Sequence, residues 1–502
     1  MNQATLHATE KDRRPLVLAS IVLGMFMAAI EGTIVATAIP DIVGDLGGFS
    51  HYSWVFSAYL LMNALTILIY GKLADLYGRK PVYLFGVIVF LIGSLLAGFA
   101  QSMGMLILFR VIQGLGAGAV QPIAMTMVGD LYTLEERGRI QGYLSSVWGI
   151  SAIIGPALGG LFVEYLNWSW VFWMNVPIGL LSMAGIACFF RENVAVKKHA
   201  IDYLGAFLCF LAIAALMILL IQGGTVWPWL SPPVFGCASV FVVAFLLFLW
   251  RERRAKEPVV PLNLWKNPLI VVANIVNLTT GIVIIGLTSF LPSYVQGVMG
   301  RSALVAGFTL TAMSIGWPLA ATVVGRLLAR HDHRKIAVTG GVALIVGGFF
   351  FLTLHAEKGP LWAALGSFLI GVGMGSTTTT FIVAIQSSVG WQLRGAATSS
   401  NMFMRMLGSA TGAALLGGLL NMRLKAFIHE HRGREPLSLD SANALLENRT
   451  VHVSGHGLKV LKAGLESGLH AVYIGVFAFA VLSFLLILLI PRKAMGEAKA
   501  GQ

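Results

Sequence analysis

The chain of 502 residues is hydrophobic and basic, with a net charge of +13. Hydrophobic residues make up 57% of it and charged residues 11%, whereas a soluble globular chain carries about 25% charged residues. This composition excludes a soluble domain, in which such a positive charge would suggest nucleic acid as a partner. The sequence therefore predicts an integral membrane protein that is embedded in the lipid bilayer and binds no nucleic acid.

Apolar stretches recur along the chain, and fourteen of them are long enough to cross a bilayer, which takes about 20 residues as a helix. The first stretch resembles a signal peptide but is too long for one, so we expect an uncleaved first helix. The predicted fold class is an all-α integral membrane protein with 14 transmembrane helices. The predicted spans are residues 16–40, 52–71, 81–100, 103–128, 140–162, 169–190, 203–222, 233–250, 268–292, 303–325, 336–355, 361–386, 395–421 and 469–490.

Basic residues are distributed unevenly between the two sides of these spans. Segments on the side of the N-terminus hold 24 Lys and Arg residues, and the opposite side holds nine, seven of them in one long loop at 422–468. Short basic loops face the cytoplasm, whereas long loops count little. The pattern predicts a multi-pass protein of the plasma (inner) membrane with both termini in the cytoplasm. An anionic ligand is the alternative explanation of the positive charge.

The long loop carries leucines at helical spacing, at Leu458, Leu461, Leu465 and Leu469. Such a row gives a helix one apolar face. It predicts a short helix that lies on the outer surface of the membrane.

Two short basic loops resemble each other and indicate an internal duplication. Gly71–Lys80 joins spans 2 and 3, and Gly325–Lys335 joins spans 10 and 11; the two align with one residue inserted. Chance similarity of short basic loops is the alternative. With a duplication, 1–190 forms an N-terminal six-helix bundle, 191–267 holds two inserted spans, and 268–502 forms a C-terminal six-helix bundle. Duplicated bundles around a central site are typical of secondary transporters.

Three charged residues lie deep in the predicted spans: Glu31, Arg110 and Arg405. A charge at mid-bilayer costs about 2.5–3.5 kcal/mol on insertion scales, so such residues are functional candidates. Glu31 and Arg110 lie at similar depths, roughly 13 Å and 10 Å below the outer ends of their helices. A carboxylate that alternates between an arginine and an apolar cavity can load and release a proton; a static ion pair is the alternative. Arg405 could bind an anionic group, bind helix carbonyls or fasten helices together.

Span 5 is rich in small residues and contains a proline. Glycine lets helices approach closely, and proline removes a backbone donor and bends the helix. A kinked helix with a small-residue face suits an interface that opens and closes, although plain packing explains it equally well. The residues concerned are Gly149, Gly155, Pro156, Gly159 and Gly160.

These motifs resemble those of the major facilitator superfamily, in particular the fourteen-span branch of the drug:proton antiporters. Gly71–Lys80 matches the loop signature G-x-L-A-D-x-x-G-R-K, and Arg110–Gly114 matches the fourth-span signature with its buried arginine. The glycines and proline of span 5 match the signature associated with antiporters, and Trp173–Gly179 resembles the start of the sixth span in that branch. In span 1, Glu31 stands where the branch usually has Asp.

The resemblance implies a major facilitator fold, two six-helix bundles plus two inserted helices. It also implies that the first loop holds the outward-facing state, because its acid can receive a helix N-terminus or a basic group of the other half. A monomer without cofactors, driven by the proton gradient, is the expected working form. The expected latch residues are Gly71, Asp75, Gly78, Arg79 and Asp130.

The predicted function is proton-coupled antiport that exports amphipathic, drug-like small molecules. Glu31 is expected to carry the proton and Arg110 to tune it. The chain carries none of the metalloprotease, nucleophile or phosphate-loop motifs of enzymes, so no enzyme activity is predicted. A dedicated proton-coupled exporter of a single metabolite, siderophore, antibiotic or lipid is the alternative.

Polar and aromatic residues in otherwise apolar spans are candidates for the wall of the substrate cavity, although each could equally be a lipid-facing or a packing residue. No second deep carboxylate is present, which argues against selection for dications. The candidates are Gln113, Trp148, Tyr294, Gln296, Trp317, Asn401, Met402 and Arg405.

Overall fold

A computed structural model describes residues 3–47, 53–192, 202–223, 227–255, 258–328, 330–430 and 455–490. In these ranges the chain forms 14 helices that are long and apolar enough to cross a membrane. The predicted number of spans is therefore confirmed. We call the side on which the first helix begins and the last one ends the terminal side, and the opposite side the far side.

The helices fall into an N-terminal half, an inserted pair and a C-terminal half. The N-terminal half consists of α1 (Gln3–Leu46), α2 (Ser53–Tyr77), α3 (Arg79–Gly98), α4 (Met103–Leu131), α5 (Leu134–Tyr165), the single turn α6 (Trp170–Trp173) and α7 (Asn175–Phe189). The inserted pair is α8 (Tyr203–Gln222) and α9 (Pro232–Glu252). The C-terminal half consists of α10 (Pro268–Ser293), α11 (Ala303–Leu327), α12 (His333–Leu352), α13 (Gly359–Ser388), α14 (Trp391–Glu430) and α15 (Gly455–Leu488).

The starts of the helices are set by side chains that cap free backbone N–H groups. Ser102 accepts a hydrogen bond from the Met105 N–H at the start of α4. At the start of α5, Thr133 accepts from the Glu136 N–H, and the Glu136 carboxylate accepts from the Thr133 N–H at 2.9 Å. Such caps occupy donors that have no partner within the helix. Within the spans the helix satisfies its own backbone, as a bilayer requires.

The halves meet most extensively at two pairs of helices, α2 with α14 and α5 with α11, and α4 also contacts α14. Toward the terminal side, the second pair meets backbone to backbone. A Cβ atom on Gly138 would lie 2.8 Å from the carbonyl carbon of Gly325, and one on Gly325 would lie 2.6 Å from the Arg139 nitrogen. Glycine is therefore required at both positions for this approach. The inserted α8 packs against both α2 and α14, and so lies beside the first of the two seams.

The last two helices are longer than the sequence predicted. α14 continues to Glu430 and α15 begins at Gly455, so the predicted loop at 422–468 is shortened from both ends; residues 431–454 lie outside the described part. Leu461 and Leu465 are fully buried, as is Leu424 on α14. The predicted short surface helix is wrong, because its apolar face covers a neighbouring helix instead of lipid.

The Gly138–Gly325 approach predicts a strong effect of added side-chain volume. Gly325→Val should destabilise the protein by about 1–3 kcal/mol, because the new side chain needs space that the α5 backbone occupies. The fraction of purified protein that stays monodisperse after heating measures this change. Gly307→Val is the matched control on the same helix, since nothing lies within 4 Å of a Cβ atom there. If Gly325→Val and Gly307→Val lost half of their monodisperse protein at the same temperature, the close packing of Gly138 and Gly325 would be contradicted.

Candidate functional site

Glu31 on α1 and Arg110 on α4 form an ion pair in the interior of the N-terminal half. Nη1 of Arg110 donates to Oε1 of Glu31, and both residues are fully buried. The structure thus brings together the two residues that the sequence placed at similar depth. Breaking such a pair by removing one partner leaves an uncompensated buried charge, which costs about 3–5 kcal/mol.

Arg110 has further partners besides the carboxylate. Its Nε donates to the Val55 carbonyl at 2.9 Å, and its Nη1 also donates to Oε1 of Gln113 at 2.6 Å. Its guanidinium lies 4.2 Å from the centroid of the Tyr59 ring, within the range of a cation–π contact. The arginine is therefore held by α2 and by its own helix independently of Glu31.

Asn175 is the second partner of Glu31, and sequence reasoning missed it. Its Nδ2 donates to Oε2 of Glu31 at 2.7 Å and to Oγ of Ser94 at 3.0 Å. Ser94 also accepts from Gln113 and donates to the Phe172 carbonyl at 2.8 Å. Oδ1 of Asn175 is buried and has no hydrogen-bond partner among the described residues. Helices α1, α2, α3, α4 and α7 therefore meet in one buried polar network.

A local break in the sixth span positions this asparagine. α6 ends at Trp173 and α7 begins at Asn175, so the amide stands at the first residue of a new helix. The sequence signal was present, because Asn175 lies in the segment Trp173–Gly179 that resembled the branch motif. Ser94 gave no signal, since a serine in an apolar span is unremarkable.

A second polar cluster joins the halves on the terminal side, around Asp75. Its carboxylate accepts hydrogen bonds from the N–H groups of Gly395 and Ala396, at 2.9 and 2.8 Å, in the first turn and a half of α14. Arg79 pairs with the same carboxylate at 2.9 Å. An anion at a helix N-terminus is favoured by the free N–H groups and the helix dipole. Asp75 therefore connects α2 to the other half.

Arg79 links this cluster to α4 and α14. Its Nε donates to Asp130 at 2.9 Å, and its Nη2 donates to the Trp391 carbonyl at 2.7 Å. The guanidinium also lies 3.8 Å from the Trp391 ring centroid. Asp130 in turn accepts from Arg394 of the C-terminal half. Glu192, which the sequence did not indicate, accepts from the Arg79 N–H at 3.0 Å and fixes the start of α3.

Glycine is required at the two glycine positions of the predicted latch for different structural reasons. A Cβ on Gly71 would lie 2.5 Å from Cβ of Ser399 on α14 and 2.9 Å from the Gly395 carbonyl. Gly78, between α2 and α3, has φ of +96°, a conformation that side-chain-bearing residues rarely adopt. The structure therefore brings all five predicted latch residues into one region of the terminal side.

The glycines of span 5 divide into two groups. Gly155 and Gly159 face α1, where a Cβ on Gly155 would lie 2.9 Å from Cβ of Thr33. Gly149 faces α11, with 2.8 Å to the Ser314 carbonyl. A Cβ on Gly160 meets nothing within 4 Å, and Pro156 is exposed. Close approach therefore accounts for three of the five predicted residues, and Gly160 and Pro156 take no part in it.

Several predicted cavity residues have the contacts of packing residues, because polar groups inside apolar spans satisfy one another. Gln113 belongs to the Glu31 network. Asn401 donates to Asn274 at 3.1 Å and is fully buried, as is Tyr294, whose ring stacks edge-on against Tyr473 at 5.5 Å. Met402 is buried in the hydrophobic cluster of the N-terminal half.

The remaining four candidates are more accessible. Trp148 on α5 is exposed, and Gln296 is half-buried in the short turn that follows α10. Trp317 on α11 and Arg405 on α14 are both partly buried and face each other, with 6.0 Å between the guanidinium carbon and the ring centroid. Of the predicted cavity residues, these two are the pair that the structure brings together.

The sequence profile of the Major Facilitator Superfamily matches residues 21–413. The chain belongs to the major facilitator superfamily. Multidrug resistance protein 3 of Bacillus subtilis is 38% identical over 401 residues, which cover 80% of this chain and 78% of the relative. Multidrug transporter protein MdtP of Bacillus subtilis is 33% identical and covers 98% of this chain and 96% of the relative.

Solved structures show the same fold. The crystal structure of the human organic anion transporter MFSD10 superimposes with a TM-score of 0.64 over 94% of this chain and 99% of that chain, at 14% sequence identity. At this identity the likeness shows the fold alone. The predicted major facilitator fold is confirmed, and the family to which the chain belongs is one of transporters.

The Asp75 contacts predict that Asp75→Asn loosens the terminal side. The asparagine can still accept a hydrogen bond but carries no charge, so each of the two hydrogen bonds from the α14 N–H groups is weakened by about 1 kcal/mol, the difference between a charged and a neutral acceptor. Ser399 is fully buried beside Gly71. The substitution Ser399→Cys, in a variant without the native cysteines, therefore reports whether the terminal side opens. We expect a membrane-impermeant maleimide to label this cysteine about tenfold faster in Asp75→Asn.

Asp41→Asn is the control for this experiment, because Asp41 is an exposed carboxylate near the far end of α1. It should leave the labelling rate of the cysteine unchanged. An unchanged rate in Asp75→Asn as well would mean that Asp75 does not hold the halves together.

Proposed function

We propose that this protein exports amphipathic, drug-like molecules from the cytoplasm by proton-coupled antiport. The observation that carries the proposal is the buried pair of Glu31 and Arg110, since an ionisable group inside a membrane protein commonly marks an ion or proton path. The two Bacillus subtilis relatives are named for multidrug resistance and multidrug transport, which supports drug-like substrates.

The contacts of Arg110 support Glu31 as the proton carrier. When a proton joins an oxygen of Glu31, the ion pair is lost, but Arg110 keeps Gln113, the Val55 carbonyl and the Tyr59 ring. Arg110 therefore still has hydrogen-bond and cation–π partners when Glu31 is protonated. A network that is satisfied in both states lowers the cost of the change between them.

Asn175 suits both states of the carboxyl group for a different reason. Its amide now donates to the Glu31 carboxylate while its own carbonyl oxygen has no described partner. A half-turn of the amide group presents that oxygen to the proton of a carboxylic acid, because an amide carries both donors and an acceptor. In this role Asn175 positions Glu31 and does not itself carry the proton.

The proposed conformational cycle is based on the hydrogen bonds that join the two halves on the terminal side. The hydrogen bonds of Asp75, Arg79 and Arg394 across the halves lie on the terminal side, and we take that side as cytoplasmic from its basic residues. In the proposed cycle the bundles 1–190 and 268–502 rock about the central site as the latch forms and breaks, with residues 191–267 as inserted spans. The working unit is a monomer in the plasma membrane.

The driving force is the proton gradient. Each proton that moves inward gains about 2.3 kcal/mol per 100 mV of membrane potential, in addition to the pH difference. Glu31 takes a proton from the far side, substrate leaves, and the proton is released to the cytoplasm after the bundles rock. No cofactor takes part in this cycle.

Glu31→Gln is expected to abolish proton-driven accumulation, because glutamine cannot exchange a proton, while downhill movement of substrate persists. Everted membrane vesicles measure both with a panel of fluorescent amphipaths that includes cationic, zwitterionic and anionic dyes. Glu31→Asp should keep coupling. Glu164→Gln, at an exposed carboxylate on α5, should behave as the wild type.

The outcomes separate the candidate mechanisms. Accumulation by Glu31→Gln equal to that of the wild type would exclude Glu31 as the proton carrier. Coupled transport of a single member of the panel would favour a dedicated exporter over a multidrug pump.

A further inference from the structure

Arg405, which is partly buried, differs in its partners from three other arginines inside the described part of the structure. Arg79 and Arg110 each pair with a carboxylate, and so does the partly buried Arg394. For Arg405, neither a carboxylate within 4.0 Å nor an oxygen that accepts a hydrogen bond is found in the described ranges, and its guanidinium carbon lies 6.0 Å from the centroid of the Trp317 ring. That distance is at the outer limit of a cation–π interaction. The guanidinium therefore has five N–H donors and no acceptor for them among the described residues.

The position of Arg405 is deep in the membrane. It lies 14 residues after the start of α14 at Trp391, which corresponds to about 21 Å along the helix axis. Trp317 lies near the middle of α11, whose bounds are Ala303 and Leu327. The hydrocarbon core is about 30 Å thick. A charge at this depth without a partner is costly, so a functional reason is expected for it.

A structural fastening is not supported by the contacts. Nearby backbone groups are already engaged: Gly281 packs against the α14 backbone at Arg405 and Ser409, and Ser409 donates to the Gly281 carbonyl. These contacts join α10 to α14 without the Arg405 side chain. Arg405 as a whole residue is partly accessible, and its guanidinium extends toward Trp317 of α11, a helix of the seam between the halves.

The charged residues in the membrane interior have a positive net charge. Glu31 and Arg110 cancel each other, and Arg405 then leaves one positive charge among the three mid-membrane residues. Protonation of Glu31 raises the sum to two positive charges. A cationic substrate would be repelled in both states, whereas an anionic group would neutralise Arg405.

We propose that Arg405 binds an oxyanion of the transported molecule, such as a carboxylate or sulfonate, while Trp317 contacts its aromatic or apolar body. This inference rests on the proposed export function and narrows its substrates to amphipathic anions and zwitterions. A guanidinium suits this task because its donors match the two oxygens of a carboxylate. In a one-for-one exchange the interior that holds a monoanion is neutral, the interior that holds a zwitterion carries one positive charge, and the interior that holds the proton carries two.

The test compares rhodamine B with its ethyl ester, which differs by the loss of one carboxylate. Binding to the purified protein is measured by fluorescence polarisation, with empty micelles subtracted. We expect the wild type to bind the acid at least about tenfold more tightly than the ester, and Arg405→Gln to lose this preference while its affinity for the ester is unchanged or higher. Arg405→Lys should keep part of the preference. Arg139→Gln, at an exposed arginine of α5, is the control and should keep all of it.

Equal binding of acid and ester by the wild type, or an undiminished preference in Arg405→Gln, would overturn the proposal. The same assay on Glu31→Gln separates this proposal from the antiport mechanism. Glu31→Gln should lose coupled transport in vesicles but keep the preference for the acid over the ester, because that preference depends on Arg405.

A measurement without ligand covers the case in which neither dye binds. Arg405→Gln should leave the thermal midpoint unchanged or raise it, because it removes a charge that has no described partner. A fall comparable to that of Gly325→Val would mean that Arg405 has a structural partner, and would overturn the proposal.

Discussion

A charge in the middle of a membrane must be compensated, and the N-terminal half of this protein is arranged around one such compensation, between Glu31 and Arg110. The pair draws a carbonyl and a tyrosine ring from α2, Ser94 from α3 and Asn175 from α7 into one network. None of these groups could be satisfied by lipid. The requirement for partners therefore fixes how five helices pack. In the proposed mechanism the same groups surround the carboxylate that exchanges a proton.

Charges also organise the terminal side, but there they act between the halves. The Asp75 carboxylate occupies the N-terminal turns of α14, and Asp130 is shared by Arg79 of its own half and Arg394 of the other. Hydrogen bonds of this kind can be replaced by water when the halves separate, whereas those around Glu31 lie within one half and persist. Arg405 has no carboxylate partner among the described residues, and in our proposal an oxyanion of the substrate takes that position.

Hydropathy predicted the fourteen spans because lipid tolerates little besides apolar helices, and helix depth predicted the Glu31–Arg110 pair because each charge needs a partner. Ser94 and Glu192 were missed, since a serine in a span and a carboxylate near the surface cost too little to stand out in a sequence. Asn175 was missed although it lies in the segment Trp173–Gly179, which resembled a motif of the branch. The leucines at 461 and 465 were assigned to the wrong surface because an apolar helix face fits lipid and protein equally. The assignment of Tyr294 and Asn401 to the cavity stays a prediction; the structure shows that both are fully buried and have partners of their own, because polar groups in spans also satisfy one another.

The central claim, that Glu31 exchanges protons for substrate, is tested most directly by running the exchange backwards. Purified protein in liposomes is given an outward gradient of a dye that it transports, without an initial pH difference, and the pH of the lumen is followed. The account predicts that dye leaving the wild-type liposomes draws protons inward and acidifies the lumen, and that Glu31→Gln releases dye without any pH change. A wild-type lumen that stays at constant pH, or becomes more alkaline as protons leave with the dye, would contradict it.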